Sequence, residues 1–351
     1  MNQKPLRIVI ASGGTGGHIT PAQALLEQFD SKVERRWIGR ADSMESRAAE
    51  QIGVKLWAVN VQGVRGKSPL SVLRGVVLFV LSVLRCLGLM IRWRPDVVVG
   101  FGGYVSAAAG MAAWLLRVPL VLHEQNAVAG STNRMLSKLA SAVAQSFPET
   151  IPGAVLTGNP VRSSFAVADD YTFEAPLNIL VMGGSQGALA LNEAVPVALS
   201  GLQNIATAHQ CGEGRQFATE TAYQQAAVDA DVFEFDSNMA ARFEWADLLI
   251  ARAGATTVAE VARMRMPTVF VPLPNAIDDH QRANARFVAE LGGAVVVEQG
   301  EDFSQRLRQA LVEILANPDL LLSRREALKN YPVQNAEQRM KALVMEVING
   351  K

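Results

Sequence analysis

The sequence predicts an α/β fold built from two doubly wound, parallel-sheet domains, and three observations support that prediction. Short runs rich in β-branched residues alternate with helical patterns along the chain, as expected for repeated parallel βαβ units. The length of 351 residues suits two domains of about 100–200 residues each. The two halves also begin alike, because RIVIASGGTGGH near residue 7 and NILVMGGSQGA near residue 178 both indicate strand, glycine turn and helix.

Ten strands are expected, five in each half. In the first half they are LRIVIA, RRWIG, DVVVGF, PLVLHE and AVAQSF, and in the second LNILVMGG, IATAHQ, DVFEF, DLLIARAG and TVFVPL. Pro160 interrupts regular structure within TGNPVRSSF, so the domains are placed at residues 1–160 and 161–334. A final helix within residues 335–351 is expected to join the first domain. Ligands of open parallel sheets bind beyond the carboxyl ends of the strands, which places the site in a cleft between the domains.

Composition excludes several functional classes. The formal net charge is zero, so no basic field attracts the protein to nucleic acid. Cys86 and Cys211 are the two cysteines; they have no metal-ligand spacing and are compatible with a reducing cytosol. The chain enters a strand near its first residues without a signal-peptide pattern. A soluble cytoplasmic protein is the expectation.

The apolar run VVLFVLSVLRCLGLMI, residues 76–91, needs a separate explanation. It has 16 residues with Arg85 among them, whereas crossing a bilayer takes about 20 apolar residues. We therefore expect it not to span. Apolar residues recur at helical spacing, at Leu73, Val77, Val80 and Leu84. Two interpretations stay open: a helix packed in the core, or an apolar surface with a basic rim on an anionic membrane.

Two glycine-rich loops follow the first strand of each half. GGTGGH, which ends at His18, lacks the spacing of a dinucleotide fingerprint and the Gly-Lys-Ser/Thr of a P-loop. It predicts either an anion site with His18 as a base near neutral pH, or a tight turn capped by the histidine. GGSQGA offers Ser185 and several amides before a helix near Ala188. Those groups suit a diphosphate; the alternative is close helix–strand packing.

Polar residues crowd two further loops. HEQNAVAGSTN, residues 123–133, follows a buried strand, and such a cluster either binds a ligand or satisfies an internal network. In residues 251–285 a Gly-Ala-Thr-Thr turn opens a helix that carries Glu260, whose carboxylate can accept both hydroxyls of a ribose. Glu260 alone could also lie on a solvated helix face. The following DDHQRAN supplies side chains that suit sugar hydroxyls, namely Asp279, His280, Gln281 and Asn284.

Seven motifs occur in one order along the chain: GGTGGHITPA, GFGGYVS, HEQNAVAGSTN, GNPVR, GGSQGA, RAGATTVAE and DDHQRANA. Together they resemble the MurG family of bacterial glycosyltransferases, from about Leu6 to the last helix. The resemblance implies the GT-B fold, with two Rossmann-like domains and the active site between them. It also implies inverting transfer of N-acetylglucosamine from UDP-N-acetylglucosamine to lipid I, undecaprenyl-diphosphoryl-N-acetylmuramoyl-pentapeptide, which gives lipid II.

The same resemblance implies which residues form the site. The donor would lie mainly on the second domain, with Gln281 holding its sugar and Asp236 contacting uracil through its main chain. The full set of implied donor contacts is Thr15, Gly16, Gly17, Asn126, Arg162, Ser185, Asp236, Ala255, Thr256, Thr257, Val258, Ala259, Glu260 and Gln281. The candidates for acceptor or sugar contacts are Tyr104, Asn133, His280 and Asn284.

Charge development suggests the mechanism. The 4-hydroxyl of the acceptor sugar attacks the anomeric carbon while UDP departs as an anion. His18 is the first candidate for the base and Glu124 the second. Ser185, Arg162 and the amides of the GGSQGA loop would stabilise the leaving charge. No Asp-x-Asp pair follows a strand, so no metal or coenzyme is expected, and UDP-N-acetylglucosamine is a substrate.

A polyprenyl acceptor keeps the reaction at the membrane. We therefore expect a membrane face on the first domain formed by Leu73, Val77, Val80 and Trp114, with Lys138 on its rim. The expected partners are the two substrates and an anionic membrane surface, with other cell-wall proteins as a further candidate. The expected location is the cytoplasmic face of the plasma (inner) membrane. Two alternatives are a UDP-sugar epimerase or hydrolase of the same fold and a non-catalytic, membrane-attached UDP-sugar sensor.

Overall fold

A computed structural model describes residues 4–61, 69–166, 171–184, 187–274 and 279–350. The chain divides into two compact units. The first comprises Met1–Ser163 and Asn335–Lys351, and the second comprises Ser164–Gln334.

Each unit contains one parallel β-sheet. The first sheet has seven strands in the order β3-β2-β1-β4-β5-β6-β7, and the second has six in the order β10-β9-β8-β11-β12-β13. The first comprises β1 (Arg7–Ala11), β2 (Glu34–Gly39), β3 (Lys55–Ala58), β4 (Val97–Gly100), β5 (Leu120–Glu124), β6 (Ala142–Gln145) and β7 (Val155–Leu156). The second comprises β8 (Leu177–Met182), β9 (Ile205–Gln210), β10 (Asp231–Phe233), β11 (Leu248–Ala251), β12 (Thr268–Phe270) and β13 (Ala294–Val296).

Helices connect the strands and cover the sheets. In the first unit they are α1 (Gly16–Glu27), α2 (Met44–Gln51), α3 (Pro69–Trp93), α4 (Gly103–Leu115) and α5 (Ser131–Leu136). The second unit contains α6 (Leu189–Leu199), α7 (Gln216–Gln225), α8 (Met239–Trp245), α9 (Ala255–Met264), α10 (His280–Glu290), α11 (Phe303–Ala316) and α12 (Asp319–Leu328). The last helix, α13 (Ala336–Asn349), belongs to the first unit.

The predicted fold class is confirmed. All strand pairs described in both sheets are parallel, and in each sheet the strand order reverses direction once. The reversal lies between β1 and β4 in the first sheet and between β8 and β11 in the second. Such a switch point opens a crevice at the carboxyl ends of the strands, where doubly wound sheets bind their ligands.

Side-chain alternation explains why the first sheet is buried on both faces. Ile8 and Ile10 of β1 face a core that includes Met340 of α13, whereas Val9 and Ala11 face a second core shared with α3 and α4. Successive strand residues point to opposite faces, so an unbroken apolar strand such as RIVIA needs helices on both sides. In the second unit, β8 contributes Ile179 and Val181 to a core with α6 and α11.

The prediction that the apolar run after residue 75 is too short to span a membrane was wrong on length and composition. Within the described part of the chain, Ser71–Trp93 of α3 is long and apolar enough to cross a membrane. The helix begins before the run and ends after it, because Ser71, Val72 and Trp93 continue the same helical turns. One stripe of α3 nevertheless packs in the first unit's core, through Val83, Cys86 and Met90.

Candidate active site

The first glycine-rich loop positions His18 in the first turn of α1, at the carboxyl end of β1. Thr15 precedes the helix in extended backbone and makes no side-chain cap. Nδ1 of His18 lies 3.2 Å from the carbonyl oxygen of Gly13, and Ser12 Oγ donates to the carbonyl of His18 at 3.0 Å. A carbonyl oxygen only accepts, so the hydrogen bond requires the proton on Nδ1. In the neutral ring the lone pair is then on Nε2.

The loop after β4 comes close to that nitrogen. Gly102 has a φ of +91°, and a Cβ atom there would lie 3.3 Å from His18 Nε2 and 3.5 Å from Asn133 Nδ2. Glycine adopts this φ without steric strain, and its missing side chain leaves space beside the imidazole. His18 and Asn133 therefore lie next to the same point of the GFGGYVS loop.

Glu124, the second candidate base, is buried at the end of β5 and accepts several hydrogen bonds. Oε2 accepts from Asn133 Nδ2 at 2.8 Å and from the amide of Gly130 at 3.0 Å. Oε1 accepts from the amide of Asn126 at 3.0 Å and lies 3.5 Å from its Nδ2. The carboxylate thus holds the 124–133 loop to β5. Asn133 is also buried, and its Nδ2 donates to the carbonyl of His123 as well.

His123 satisfies the internal-network interpretation of this loop. Its Nε2 lies 2.8 Å from the carbonyl oxygen of Gly158, and Gln125 Nε2 lies 3.0 Å from its Nδ1. Complete burial lowers the pKa of His123 to about 4. The ring is therefore neutral at physiological pH and connects the end of β5 to the segment after β7.

Sequence reasoning missed Asn159, in the GNPVR motif. Its side chain is buried, and neither Oδ1 nor Nδ2 has a hydrogen-bond partner among the residues that the structure describes. An unpaired buried amide is costly, so this group is a candidate for contact with a ligand or water. The proline that follows marks the turn, but nothing in the local sequence indicates burial of the asparagine. Arg162, three residues later, is half-buried.

The second glycine-rich loop connects β8 to α6. Gly187 has a φ of +68°, and a Cβ atom there would lie 2.2 Å from the carbonyl oxygen of Cys211. Close packing thus requires glycine at this position. The same carbonyl accepts from Asn192 Nδ2 at 3.0 Å, which fixes α6 against the end of β9. The N-terminus of α6 has no side-chain cap, and Ser185 lies outside the described residues.

The predicted donor segment is the first part of α9. Gly254 precedes the helix, and the segment contains Ala255, Thr256, Thr257, Val258, Ala259 and Glu260. Glu260 is 5% exposed, so it does not lie on a solvated helix face. Thr256 and Thr257 are half-buried near the helix N-terminus, where amide N–H groups lack partners within the helix.

The structure attaches α10 to two loops at the carboxyl edge of the second sheet. Gln281 Oε1 accepts from the amide of Leu273 at 3.0 Å, after β12. Asn284 is fully buried, and its Nδ2 donates to the carbonyl of Ala253 at 3.1 Å, after β11. His280 is half-buried at the start of the helix. Gln281 and Asn284 therefore hold the loops together in this structure.

Arg252 is a second residue that sequence reasoning missed. It follows β11 and is nearly buried, and its Nη1 donates to the carbonyls of Val271 and Pro272 and to Gln299 Oε1 at 2.8–3.1 Å. Burial lowers its pKa. An arginine directly after the apolar run DLLIA was the available signal. Arg252 connects the loops after β11 and β12 and so shapes the edge that carries the predicted donor residues.

The structure places Asp236 in the loop after β10. Its Oδ2 accepts from Arg242 Nε at 2.8 Å and its Oδ1 from the amide of Asn238 at 2.8 Å. The Arg242 hydrogen bond, with that of Asn238, lowers the pKa of this carboxyl. The side chain is therefore used within the loop. Among the described residues, no group of three or more His, Cys, Asp or Glu side chains could hold a metal ion.

Exposed apolar side chains cover one side of α3. Leu73 is 61% exposed and Val77 and Val80 are each 50% exposed, so the core interpretation does not apply to them. Val76, Leu81, Leu84 and Ile91 are exposed on the same helix. Trp114 of α4 is about half exposed, Tyr104 at the start of α4 is also exposed, and Lys138 is on the surface after α5.

The chain matches two domain families. Residues 8–145 match the glycosyltransferase family 28 N-terminal domain and residues 178–340 match the family 28 C-terminal domain. Two similar relatives are both named UDP-N-acetylglucosamine–N-acetylmuramyl-(pentapeptide) pyrophosphoryl-undecaprenol N-acetylglucosamine transferase. The protein from Nitrosococcus oceani is 38% identical over 98% of this chain and 99% of its own length. The protein from Xanthomonas campestris is 39% identical over 98% of this chain and 83% of its own.

Solved structures agree with these relatives. MurG from Acinetobacter baumannii has a TM-score of 0.79 at 36% identity and covers 97% of this chain and 100% of its own. A UDP-GlcNAc 2-epimerase from Neisseria meningitidis has a TM-score of 0.70 at 13% identity, over 99% of this chain and 100% of its own, which indicates a shared fold alone. The chain has the GT-B fold. It belongs to glycosyltransferase family 28 and, within it, to the UDP-N-acetylglucosamine–N-acetylmuramyl-(pentapeptide) pyrophosphoryl-undecaprenol N-acetylglucosamine transferases, the MurG family.

Proposed function

We propose that this protein transfers N-acetylglucosamine from UDP-N-acetylglucosamine to the 4-hydroxyl of lipid I, with inversion, and so makes lipid II for peptidoglycan. Identity of 38% over nearly the full length of a relative with that transferase name is the observation that supports it most. The epimerase and hydrolase alternatives rest on a likeness of fold at 13% identity. Nothing favours the sensor over an enzyme.

We assign to His18 the role of the base that removes the proton from the acceptor's 4-hydroxyl. Because Nδ1 faces the carbonyl of Gly13, the basic nitrogen of the neutral ring is Nε2, on the side of Gly102. A base must come within hydrogen-bond reach of the hydroxyl it deprotonates, and an open glycine backbone beside Nε2 suits a sugar hydroxyl. Glu124 stays the second candidate. The hydrogen bonds that it accepts from Asn133 and two backbone amides favour a positioning role.

We assign stabilisation of the departing UDP to positive electrostatic groups. The uncapped N-terminus of α6 presents amide donors and the positive end of the helix dipole. Arg162 and Ser185 are proposed to add a guanidinium and a hydroxyl to the diphosphate. Glu260, which is buried in α9, is proposed to bind the ribose, because one carboxylate can accept hydrogen bonds from both ribose hydroxyls.

We propose that the enzyme acts at the cytoplasmic face of the plasma membrane as a peripheral protein. The exposed side of α3 supplies the apolar surface, and Arg74, Arg85 and Arg92 on its exposed side attract anionic lipid. Although α3 is long enough to span, Val83, Cys86 and Met90 are buried in the core of the first unit. Spanning would remove α3 from that core and leave the apolar side chains that share it exposed to water, at about 1.5–3 kcal/mol for each large side chain that is uncovered. Resting on the surface requires no such loss.

One experiment separates the candidate functions. The protein is incubated with UDP-N-acetylglucosamine and a short-chain lipid I analogue, and the products are identified by mass spectrometry. A disaccharide-linked lipid together with UDP supports the transferase. Free sugar indicates a hydrolase, an epimerised nucleotide sugar an epimerase, and no turnover a sensor. The same assay without acceptor shows whether sugar release depends on lipid I.

A further inference from the structure

A buried chain of polar side chains leads to the second glycine-rich loop. Its members come from three elements: His209 from β9, Asn192 from α6 and Tyr223 from α7. Each of these residues is at most 4% exposed. His209 Nδ1 lies 2.8 Å from Tyr223 Oη, and His209 Nε2 lies 3.1 Å from Asn192 Oδ1. The chain ends where Asn192 Nδ2 donates to the carbonyl oxygen of Cys211, which contacts Gly187.

The direction of every hydrogen bond in this chain follows from its last acceptor. A carbonyl oxygen accepts only, so the amide nitrogen of Asn192 faces Cys211 and its amide oxygen faces His209. That amide oxygen also accepts only, so the proton of His209 is on Nε2. Burial lowers the pKa of His209 to about 3, so the ring is neutral and Nδ1 accepts from the hydroxyl of Tyr223. The chain therefore runs in one direction, from Tyr223 to Cys211.

The end of the chain fixes the backbone at the start of α6. A Cβ atom on Gly187 would lie 2.2 Å from the carbonyl oxygen of Cys211, so the loop and this carbonyl are in direct contact. The amide of Cys211 donates to the carbonyl of Phe233 at 2.9 Å, which holds it to the end of β10. Ala188, the N-cap residue of α6, supplies no side-chain cap. Packing on Cys211 therefore positions a helix end that a capping side chain would otherwise hold.

A polar chain of this kind does more than fill the core. Apolar side chains of similar volume would exclude water without any requirement for direction, whereas a fully satisfied polar network selects one arrangement of its members. Such precision matters where backbone amides meet a charged ligand, because misplacement by about 1 Å can cost about 100-fold in rate. The start of α6 is such a place, since its free amides face the position assigned to the diphosphate of UDP.

We propose that His209 is a positioning residue for the donor diphosphate: through Asn192 and Cys211 it holds the second glycine-rich loop where the α6 amides meet the phosphate oxygens. The proposal rests on the proposed function, in which UDP departs at that helix N-terminus. Tyr223 acts one step further back, because its hydroxyl keeps the proton of His209 on Nε2. The chain acts through the backbone, and its three side chains need not touch the nucleotide.

The test compares UDP with uridine, which lacks the diphosphate, by titration calorimetry on the full chain. His209→Leu removes both hydrogen-bonding atoms at similar volume, whereas His209→Gln retains a donor and an acceptor. Thr207→Val is the matched control, because it replaces another buried polar side chain of β9 whose hydroxyl has no partner among the described residues. A second control, Leu199→Ala, truncates the core at the far end of α6 and lowers stability with the chain intact.

We expect His209→Leu to bind UDP about tenfold more weakly, with an unchanged affinity for uridine, and His209→Gln to recover part of the loss. Both controls should keep the ratio of the two affinities, because lower stability alone does not distinguish UDP from uridine. If His209→Leu fails to fold, Tyr223→Phe, which removes one buried oxygen atom, must weaken UDP binding selectively in the same direction.

Two results overturn the positioning role while the transferase assay stays positive. One is an unchanged ratio of UDP to uridine affinity in the folded variant, and the other is a proton on Nδ1 of His209 in nitrogen NMR spectra of the imidazole. A different result concerns the proposed function itself. If the unmodified protein binds UDP no more tightly than uridine, the diphosphate site at α6 is wrong, and the role of His209 is overturned with it.

Discussion

Replacing Leu73, Val77 and Val80 by glutamine tests the membrane face of α3 most directly. Full burial of a leucine or valine side chain stabilises by about 1.5–3 kcal/mol. These three are 50–61% exposed, so about half of that, or about 1 kcal/mol each, remains to be gained on a membrane. The three together contribute about 3 kcal/mol, which is about a 100-fold change in partitioning.

The assay is sedimentation with anionic vesicles at several salt concentrations, together with thermal unfolding. We expect about 100-fold weaker vesicle binding, while the remaining attraction stays sensitive to salt because Arg74, Arg85 and Arg92 are unchanged. The melting temperature should change little, since the substituted surface is solvated. The control Val155→Gln/Val197→Gln/Val312→Gln changes three comparably exposed valines outside α3. Equal vesicle binding by the two triple variants, or unfolding at the 2–5 kcal/mol per residue typical of core truncations, would refute the reasoning.

The remaining predictions concern the site and its pH dependence. His18→Ala should lower turnover by about 10²–10⁴-fold with donor binding nearly unchanged, and should remove the pH dependence that the base gives to the rate. Near-normal turnover of this variant would instead make Glu124 the catalytic base. Glu260→Ala should raise the donor Michaelis constant more than it lowers turnover, because the ribose contact exists before and during reaction; steady-state kinetics check this, and a large turnover loss at constant Michaelis constant contradicts it. His123 has its folded pKa lowered to about 4, so the unfolded chain binds more protons between pH 6.5 and 4, and stability falls as the pH falls through that window. Urea unfolding should lose about 2 kcal/mol between pH 7.5 and pH 5 from this group, and His123→Asn should show a correspondingly shallower loss.

The local sequence pattern was sufficient to predict most strands of the two sheets. Each of the ten predicted strands is present, because short apolar runs bounded by turn residues and alternating with helical patterns are typical of a parallel α/β sheet. Three strands were missed: β3, β7 and β13. They have two to four residues each and lie at or near sheet edges. Such short segments become strands only when a neighbouring strand supplies their hydrogen bonds, which periodicity does not reveal.

The order of the motifs was sufficient to identify the family, but the roles of individual side chains depended on how they pack in the folded chain. HEQNAVAGSTN offered five polar side chains of similar appearance, and the fold separates them. His123 is a buried neutral link, whereas the Glu124 carboxylate organises the loop. Asn159 gave no comparable local signal, and for Arg252 the sequence showed only its position after an apolar run, because burial and partners come from segments distant in sequence.

By itself, the sequence determined the two parallel-sheet domains, the glycine turns at the strand ends and membership of the family, since these follow from periodicity and motif spacing along the chain. Only the tertiary structure decided which side of α3 is exposed, because apolar residues occur on every side of this helix and its inner face is fixed only when Val83, Cys86 and Met90 pack in the core. It likewise decided that Asn192, His209 and Tyr223, from three different elements, form one hydrogen-bond chain. Such networks arise from the meeting of distant elements, and no local pattern encodes them.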